Sequence, residues 1–513
     1  MRHNRVFFDM DRHPWSFRRL LWTLTWVFCG IVVLTMWFGM NSDRDNVHPI
    51  ITQIMPAGHC TCQTSTTFQC ADCLTCLASS GPTTTTTTTT TTPADNNDLE
   101  KQQSWRFEYG RDDRNLGLSR DQCQASFPGL FQDVIRAGDY WRSQGGISKE
   151  DLDAVTLAPG MARAIIQNGE LYVVSARSKN DDHRRKILAA LSSMYRALSA
   201  APVRHTTTTS KNDAIEFIFS VEDRVDDVNG GGHPIWALSR KATEQSVWLM
   251  PDFGFWAWEH WKKGIGPFSQ AVDRVTDTEK QLSFREKKPQ LLWRGKLSFA
   301  PKLRRALLDT ARNHTWGDVK ELDWDRKDNY VSMEDHCRYM FIAHVEGTFY
   351  SPVQVSMTRF VLIWILIMAC TGRSYSASLK YRQACHSVIV AHKLQYIQHY
   401  HYLLVSSGPQ QNYVEVERDF SDLPGQMQHL LQDPQAAERI ADNNVRTFRE
   451  RYLTSAAEAC YWRSLWDGWA SVSNGTDSLE KMGKPVSERG LRYESFLLLD
   501  SLEMMDFYHV HRL

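Results

Sequence analysis

The sequence lacks a charge excess of either sign: 59 lysines and arginines balance 59 aspartates and glutamates. With no basic surplus to neutralise a phosphate backbone, nucleic acid is not expected as a partner, and neither is an acidic polymer. The run Phe360 to Ala369 (FVLIWILIMA) is uninterrupted but spans only about half of the roughly 20 apolar residues a spanning helix needs, and it lies between Arg359 and Arg373. PDFGFW, Pro251 to Trp256, lacks the accompanying glycine-rich loop and catalytic-loop motif that a kinase reading of Asp252 requires. The C-terminal His511-Arg512-Leu513 carries no endoplasmic-reticulum retrieval signal.

A long apolar stretch does stand at the start. Leu20 to Met40 is uncharged and preceded by Arg2, Arg5, Arg12, Arg18 and Arg19. At about 1.5 Å per residue it spans a hydrocarbon core, and the flanking charge keeps residues 1–19 in the cytosol. It exceeds the apolar core of a cleaved leader. The expectation is a single-pass type II signal anchor at 20–40. Residues 41–105 then read as a stem, in which Cys60, Cys62, Cys70, Cys73 and Cys76 precede an unbroken threonine run from Thr83 to Thr92 between prolines. Such a run has nothing with which to build a core. On the oxidising side of a membrane these cysteines favour disulfides over a metal, and an odd number allows a disulfide-linked dimer. Asn313-His-Thr and Asn474-Gly-Thr are glycosylation acceptors.

At 513 residues the chain exceeds one ordinary domain. From about residue 106, strand-like runs (215–221, 290–293, 387–390, 413–416) alternate with helix-like ones (182–198, 300–311), which predicts α/β lobes with parallel sheets and crossover helices. Asp433-Pro434 supplies the start of a further helix with Ile440, Val445, Phe448 and Tyr452 on its apolar side. The tail after Ser471 has no assignment.

Three pieces carry chemistry. A buried strand ending in Arg294-Gly295 leaves a guanidinium fork at a sheet's carboxyl edge, suited to a diphosphate; basic residues Lys302, Arg304 and Arg305 follow. The second piece is split. HVEG, ending at Gly347, and RSYSASLKYRQACHSVIVAH, starting at Arg373, read as one polar signature interrupted by residues 348–372. The interruption is either a buried strand or a retained intron of 25 codons read in frame, since Gly347-Thr348 can be written GGT ACG and Thr371-Gly372 ACA GGN. Across the gap, Glu346 and glycine followed by Ser376 open a helix towards an anion, with Lys380 one turn along. In the third piece a strand reaches Asp419, whose carboxylate suits ribose hydroxyls.

LMPDFGFWAW (Leu249 to Trp258), LLWRG (Leu291 to Gly295), MEDHCRY (Met333 to Tyr339), the split signature, NYVEVERDFSDL (Asn412 to Leu423) and CYWRSLW (Cys460 to Trp466) together resemble glycosyltransferase family 90, which includes fungal capsule-associated xylosyltransferases and animal protein O-glucosyltransferases. The resemblance covers about residues 155 to 470. It implies a GT-B-like fold of two Rossmann-like lobes, an acceptor-side lobe at 106–285 and a nucleotide-sugar-binding lobe at 286–470, with 471–513 as a C-terminal tail. It also implies a UDP-sugar donor, xylose or glucose, and a glycan or glycoprotein acceptor. Arg294, Gly295, Ser376 and Lys380 match the family's donor-binding positions. Where similar proteins carry an arginine ahead of the leucine-lysine step, this chain has Ser378, which removes a charge from the diphosphate site.

Transfer with inversion needs a carboxylate base for the acceptor hydroxyl. Asp223 matches a family aspartate at a strand end, with Asp181 and Asp182 as alternatives, and a turn or capping role stays open for each. Phe253, Phe255, Trp256 and Trp258 fit core packing better than an acceptor platform. Asp151-Leu-Asp153 and Asp323-Trp-Asp325 have the Asp-x-Asp form of some divalent-cation sites, but such triplets arise easily; no metal or other cofactor is assigned. The expectation is a Golgi or other secretory-pathway enzyme facing the lumen. The competing class is an inactive relative that binds carbohydrate or acts as a membrane-tethered scaffold.

Overall fold

A computed structural model describes residues 105–202, 214–223, 231–258, 265–323, 326, 328–347, 374–473 and 486–502. The anchor, the stem, the 348–372 interruption and Asn474 lie outside the described residues. Among those described, no helix is long and apolar enough to cross a membrane.

The chain is mixed α/β. In order, the strands are β1 (Met161–Gln167), β2 (Glu170–Ala176), β3 (Ile215–Ser220), β4 (Ile235–Ala237), β5 (Arg240–Lys241), β6 (Trp248–Leu249), β7 (Lys288–Gly295), β8 (Gly317–Glu321), β9 (Tyr339–His344), β10 (Val388–His392), β11 (Tyr396–Ile397), β12 (Val414–Val416) and β13 (Leu491–Arg492). Four helices position the site: α1 (Asp181–Ser199), α2 (Pro301–Ala311), α3 (Leu379–Gln383) and α4 (Ser455–Ala470).

The second sheet, ordered β12-β10-β9-β7-β8, is wholly parallel and Rossmann-like, as the alternating pattern predicts. The central part of β7 is buried on both faces, which is why Leu291, Leu292 and Trp293 form an unbroken apolar run. Helix α2 crosses from β7 to β8, opened by Pro301 in its first turn. The helix expected after Asp433 spans Pro434–Asn444, and Asp433 caps it by accepting from the Ala436 N–H at 3.0 Å.

The first sheet departs from the expected parallel pattern. Its order is β13-β2-β1-β3-β4-β6, and β1 runs antiparallel to both β2 and β3. Asn168 and Gly169 hold φ of 53° and 77°, the two positive values that a type I′ hairpin turn demands. That Asn-Gly pair was a readable hairpin signal. Only β3, β4 and β6 pair in parallel.

The boundary expected at residue 470 also moves. Helix α4, which contains CYWRSLW, packs on the first sheet: the Trp469 ring lies 5.4 Å from both Trp236 and Trp248, and its indole N–H donates to the Glu216 carbonyl at 3.0 Å. Residues 491–492 of the unassigned tail add β13 to the edge of that sheet. Such returns bury aromatic surface that neither segment could bury alone.

Two disulfides brace the fold, Cys123–Cys460 on α4 and Cys337–Cys385 between the approaches to β9 and β10. Neither pairing was read from the sequence. A separate two-stranded sheet pairs β5 with β11 antiparallel, joining the segments that follow β4 and β10. Beside it Arg240 donates to Asp133 Oδ1 at 2.9 Å and to the Tyr402 hydroxyl at 2.7 Å.

Candidate active site

The carboxyl edge of the parallel sheet does not present the guanidinium expected there. Arg294 turns onto β8, donating to both carboxylate oxygens of Asp318 at 2.9 Å and to the carbonyls of Asn329, Trp293 and Asp318. This bidentate pair holds the Asp318 carboxyl down to about 2 despite its burial. Arg294 therefore ties strands together, and Gly295 follows it on β7.

Lys380 is likewise committed. Its ammonium, fully buried, donates to Asp252 Oδ1 and Oδ2 at 2.7 and 2.9 Å and to the Ala377 carbonyl at 3.0 Å. All three donors are used. Asp252, following β6, also accepts from the Gly254 N–H and the Gln398 amide, so this pair joins the first sheet's end to α3. Glu346 is a third structural group. Its Oε1 accepts from the Gln395 and Tyr396 N–H groups at 2.7 and 2.8 Å and its Oε2 from Arg418 at 2.7 Å. Lys380 and Glu346, both expected at the donor site, are thus fully paired within the protein, as burial of a charge requires.

Among the described residues, Arg304 and Arg382 are buried cations without a carboxylate partner. Arg304 occupies the face of α2 that also buries Leu307 and Ala311, and it is 6% exposed. Its Nη1 donates to the Lys296 carbonyl at 2.6 Å and its Nε to the Glu346 carbonyl at 3.4 Å; its guanidinium covers the rings of Phe299 and Trp293. A Cβ on Gly347 would come within 2.8 Å of its Nη2, so a side chain there would have to displace the guanidinium. Arg382, 5% exposed on α3, reaches only the ring of His344, at 3.3 Å, and its Nε has no partner among the described residues. Burial depresses His344 strongly, leaving it neutral. Among the described residues no carboxylate pairs with either arginine. Burial pushes Arg304 down to about 10, and burial plus repulsion from Arg304 pushes Arg382 down to about 9. At neutral pH both remain charged, so the strain is a standing demand for an anion.

Arg382 stands four residues after Ser378, hence on the same face of the helix. It supplies charge where the sequence alone showed a loss. An arginine spaced with the apolar positions of α2, and another in the wholly buried segment Leu379–Gln383, were the available signals for this pair.

Asp223 follows β3 and reaches Ser374, beside Gly347, from the first sheet. The Ser374 hydroxyl donates to its Oδ2 at 3.3 Å, and Ser239 donates to its backbone carbonyl at 3.2 Å. Burial raises the Asp223 carboxyl, opposed by the charge of Lys186. Asp182 pairs with Lys186 at 2.8 Å, whereas Asp181 is four-fifths exposed on the first turn of α1, distant 3.9 Å from Arg185. Lys186 was not singled out in the sequence. Ser376 is half-buried, its hydroxyl 2.9 Å from that of Ser378. Asp419 lies exposed beyond β12, where its carboxylate accepts from the Ser421 N–H at 3.0 Å and is thereby lowered. The structure therefore links Asp223 to Arg304 only through Ser374 and Gly347, and it pairs Arg294, Lys380 and Glu346 within the protein.

Of the acidic triplets, Asp151 closes a capping box with Ser148, Asp153 pairs with Arg163, and Asp323 pairs with Arg326. No group of three metal-ligating side chains occurs among the described residues. Phe253 and Phe255 are buried in the core, as packing residues; Trp256 is partly buried under the Arg196 guanidinium at 4.7 Å.

An α/β frame with two buried guanidiniums at the edge of its parallel sheet is an arrangement suited to holding a phosphate. The chain belongs to glycosyl transferase family 90, whose pattern matches residues 119–489. None of the curated proteins compared with it matches the chain.

Proposed function

We propose that this glycosyltransferase transfers xylose or glucose from a UDP-sugar to a hydroxyl of a glycan or glycoprotein, using two lobes arranged as in GT-B enzymes. The observation that carries the reading is the Arg304–Arg382 pair, two buried cations with no carboxylate among the described residues to neutralise them. A diphosphate supplies that charge, and guanidinium forks suit its oxygens. Asp223 is the proposed base. It takes the acceptor hydroxyl's proton as that oxygen bonds to the sugar's anomeric carbon; the bond from that carbon to the phosphate oxygen breaks, and UDP leaves with the electron pair. Ser376 and Asp419 are proposed as further donor contacts, to phosphate and ribose.

A lumenal setting is supported by the two disulfides, since such bonds persist in oxidising compartments. The exposed Asn313, in the left-handed conformation on the turn before β8, is presented as an acceptor sequon should be. A type II anchor at 20–40, a glycosylated stem at 41–105, stem-cysteine dimerisation and a Golgi location complete the proposal on the strength of sequence.

Asp223→Asn is expected to lower release of UDP from UDP-xylose or UDP-glucose at least about a hundredfold, with UDP affinity by calorimetry unchanged. Equal turnover would remove Asp223 from the chemistry, and failure to bind UDP at all would sink the transferase reading.

The 348–372 interruption favours a second reading, an inactive carbohydrate-binding relative, for the chain that contains it. Its flanks are already joined. Gly347 and Ser374 exchange both backbone hydrogen bonds, at 3.1 and 2.8 Å. Such a pair has Cα atoms about 5.5 Å apart, a gap that the single residue Arg373 can span, since two Cα–Cα steps of about 3.8 Å suffice. Excision also removes Cys370, the one cysteine after the stem outside the two disulfides. The expected result of deleting 348–372 is an intact Cys337–Cys385 bond by peptide mapping and UDP binding at least about tenfold tighter, as for a site freed from a dominant incompetent state. Loss of that disulfide, or unchanged affinity, would count against an excisable insert.

A further inference from the structure

We infer that Ser374 is a positioning residue for Asp223, tying the base to the donor cradle and satisfying the carboxyl in both of its protonation states. The inference rests on Asp223 being the base. Ser374 is fully buried, and its backbone is locked to Gly347 by two hydrogen bonds; Gly347 in turn lies against the Arg304 guanidinium. From that anchored point the Ser374 hydroxyl crosses to a residue 151 positions away, reaching Asp223 Oδ2 at 3.3 Å, and it also lies 3.0 Å from the Tyr375 carbonyl oxygen.

A serine hydroxyl has one hydrogen and two acceptor lone pairs. When Asp223 is ionised, the Ser374 O–H donates to it. Once Asp223 has taken the acceptor's proton, its own O–H can donate to Ser374 Oγ, and the serine hydrogen turns to the Tyr375 carbonyl. A hydrogen lies between Ser374 and Asp223 in either state, so the carboxyl keeps its orientation through the cycle.

The other groups that bear on Asp223 cannot do this. Lys186 of α1 carries only donors and is shared with Asp182. The neighbouring Glu222 repels the ionised form and is itself engaged by His183 Nε2 at 2.5 Å. Ser239 touches only the backbone carbonyl of Asp223. The Ser374 bond favours the ionised form, against the effect of burial. Its loss must raise the carboxyl further, so that activity fails at a higher pH as the solution is acidified.

The test is a pH–rate profile for UDP release from UDP-xylose and UDP-glucose by the full chain and its Ser374→Ala and Ser374→Thr variants, with UDP affinity and the thermal midpoint measured alongside. Ser374→Ala is expected to move the acid limb to higher pH and lower kcat about tenfold through misorientation of the base, with UDP affinity within about twofold. Ser374→Thr, which keeps the hydroxyl, is expected to return the limb to its original place. An alanine variant whose acid limb stays in place overturns the inference, as does one that loses UDP affinity without a limb shift; the latter would mark Ser374 as cradle packing. If Asp223→Asn turns over normally, the base assignment itself fails and the inference with it. A wild-type chain that binds no UDP fails the transferase reading instead.

Discussion

Arg304→Ala is expected to weaken UDP binding roughly thirtyfold to a hundredfold, the about 2 to 3 kcal/mol that charge-assisted hydrogen bonds contribute. Arg382→Leu is expected to do the same to affinity but not to the unliganded fold. Both guanidiniums are buried, and among the described residues neither has a carboxylate partner. Each therefore carries a desolvation cost, and at Arg382 the charge of Arg304 adds to it. Removing Arg382 lifts that cost and fills the space with apolar atoms. The urea midpoint of the free variant should equal or exceed that of the parent while calorimetry at fixed salt records the lost affinity. Opposite movement of stability and affinity is the mark of a site built for a ligand. Unchanged UDP affinity in both variants would overturn the diphosphate assignment, and parallel losses of stability and affinity would make these arginines packing residues.

Lys380→Met is expected to cost about 3 to 5 kcal/mol of stability, the usual consequence of stranding one member of a buried ion pair. Asp252 would keep its bonds from the Gly254 N–H and the Gln398 amide but lose the ammonium that neutralises it at 2.7 and 2.9 Å. Because Asp252 follows β6 and Lys380 lies on α3, the damage falls on the junction of the two sheets. The expected readout is a lower denaturant midpoint, partly recovered by adding Asp252→Asn, which removes the stranded charge. UDP affinity of the folded fraction should be unchanged within about twofold, since the ammonium has no donor left for a phosphate. A phosphate-binding lysine would show the reverse, with lost affinity and an unchanged midpoint.

Much of the parallel sheet was legible because its signals are local. The apolar run Leu291 to Trp293, the Pro301 helix start and the Asp433-Pro434 cap each need only their own neighbours. The hairpin was equally local, in Asn168-Gly169, and was missed because the alternation of strands and helices suggested parallel pairing throughout. The return of α4 to the first sheet was not legible. Trp462 and Trp469 advertise a buried helix, but nothing in their spacing says which sheet buries it.

The candidate site divides in the same way. Sequence by itself determined which residue types were available at the carboxyl edge: Arg294, Glu346, Ser376, Lys380 and Asp419 for a donor, and Asp223 for a base. It also determined that 348–372 breaks a continuous signature. Only the tertiary structure decided which charges are spent. Asp318 claims Arg294, Asp252 claims Lys380 and Arg418 claims Glu346, while no carboxylate among the described residues claims Arg304 or Arg382. The reason is physical. A buried ion binds whichever opposite charge the packing brings within about 3 Å. For Lys380 that partner lies 128 residues away along the chain.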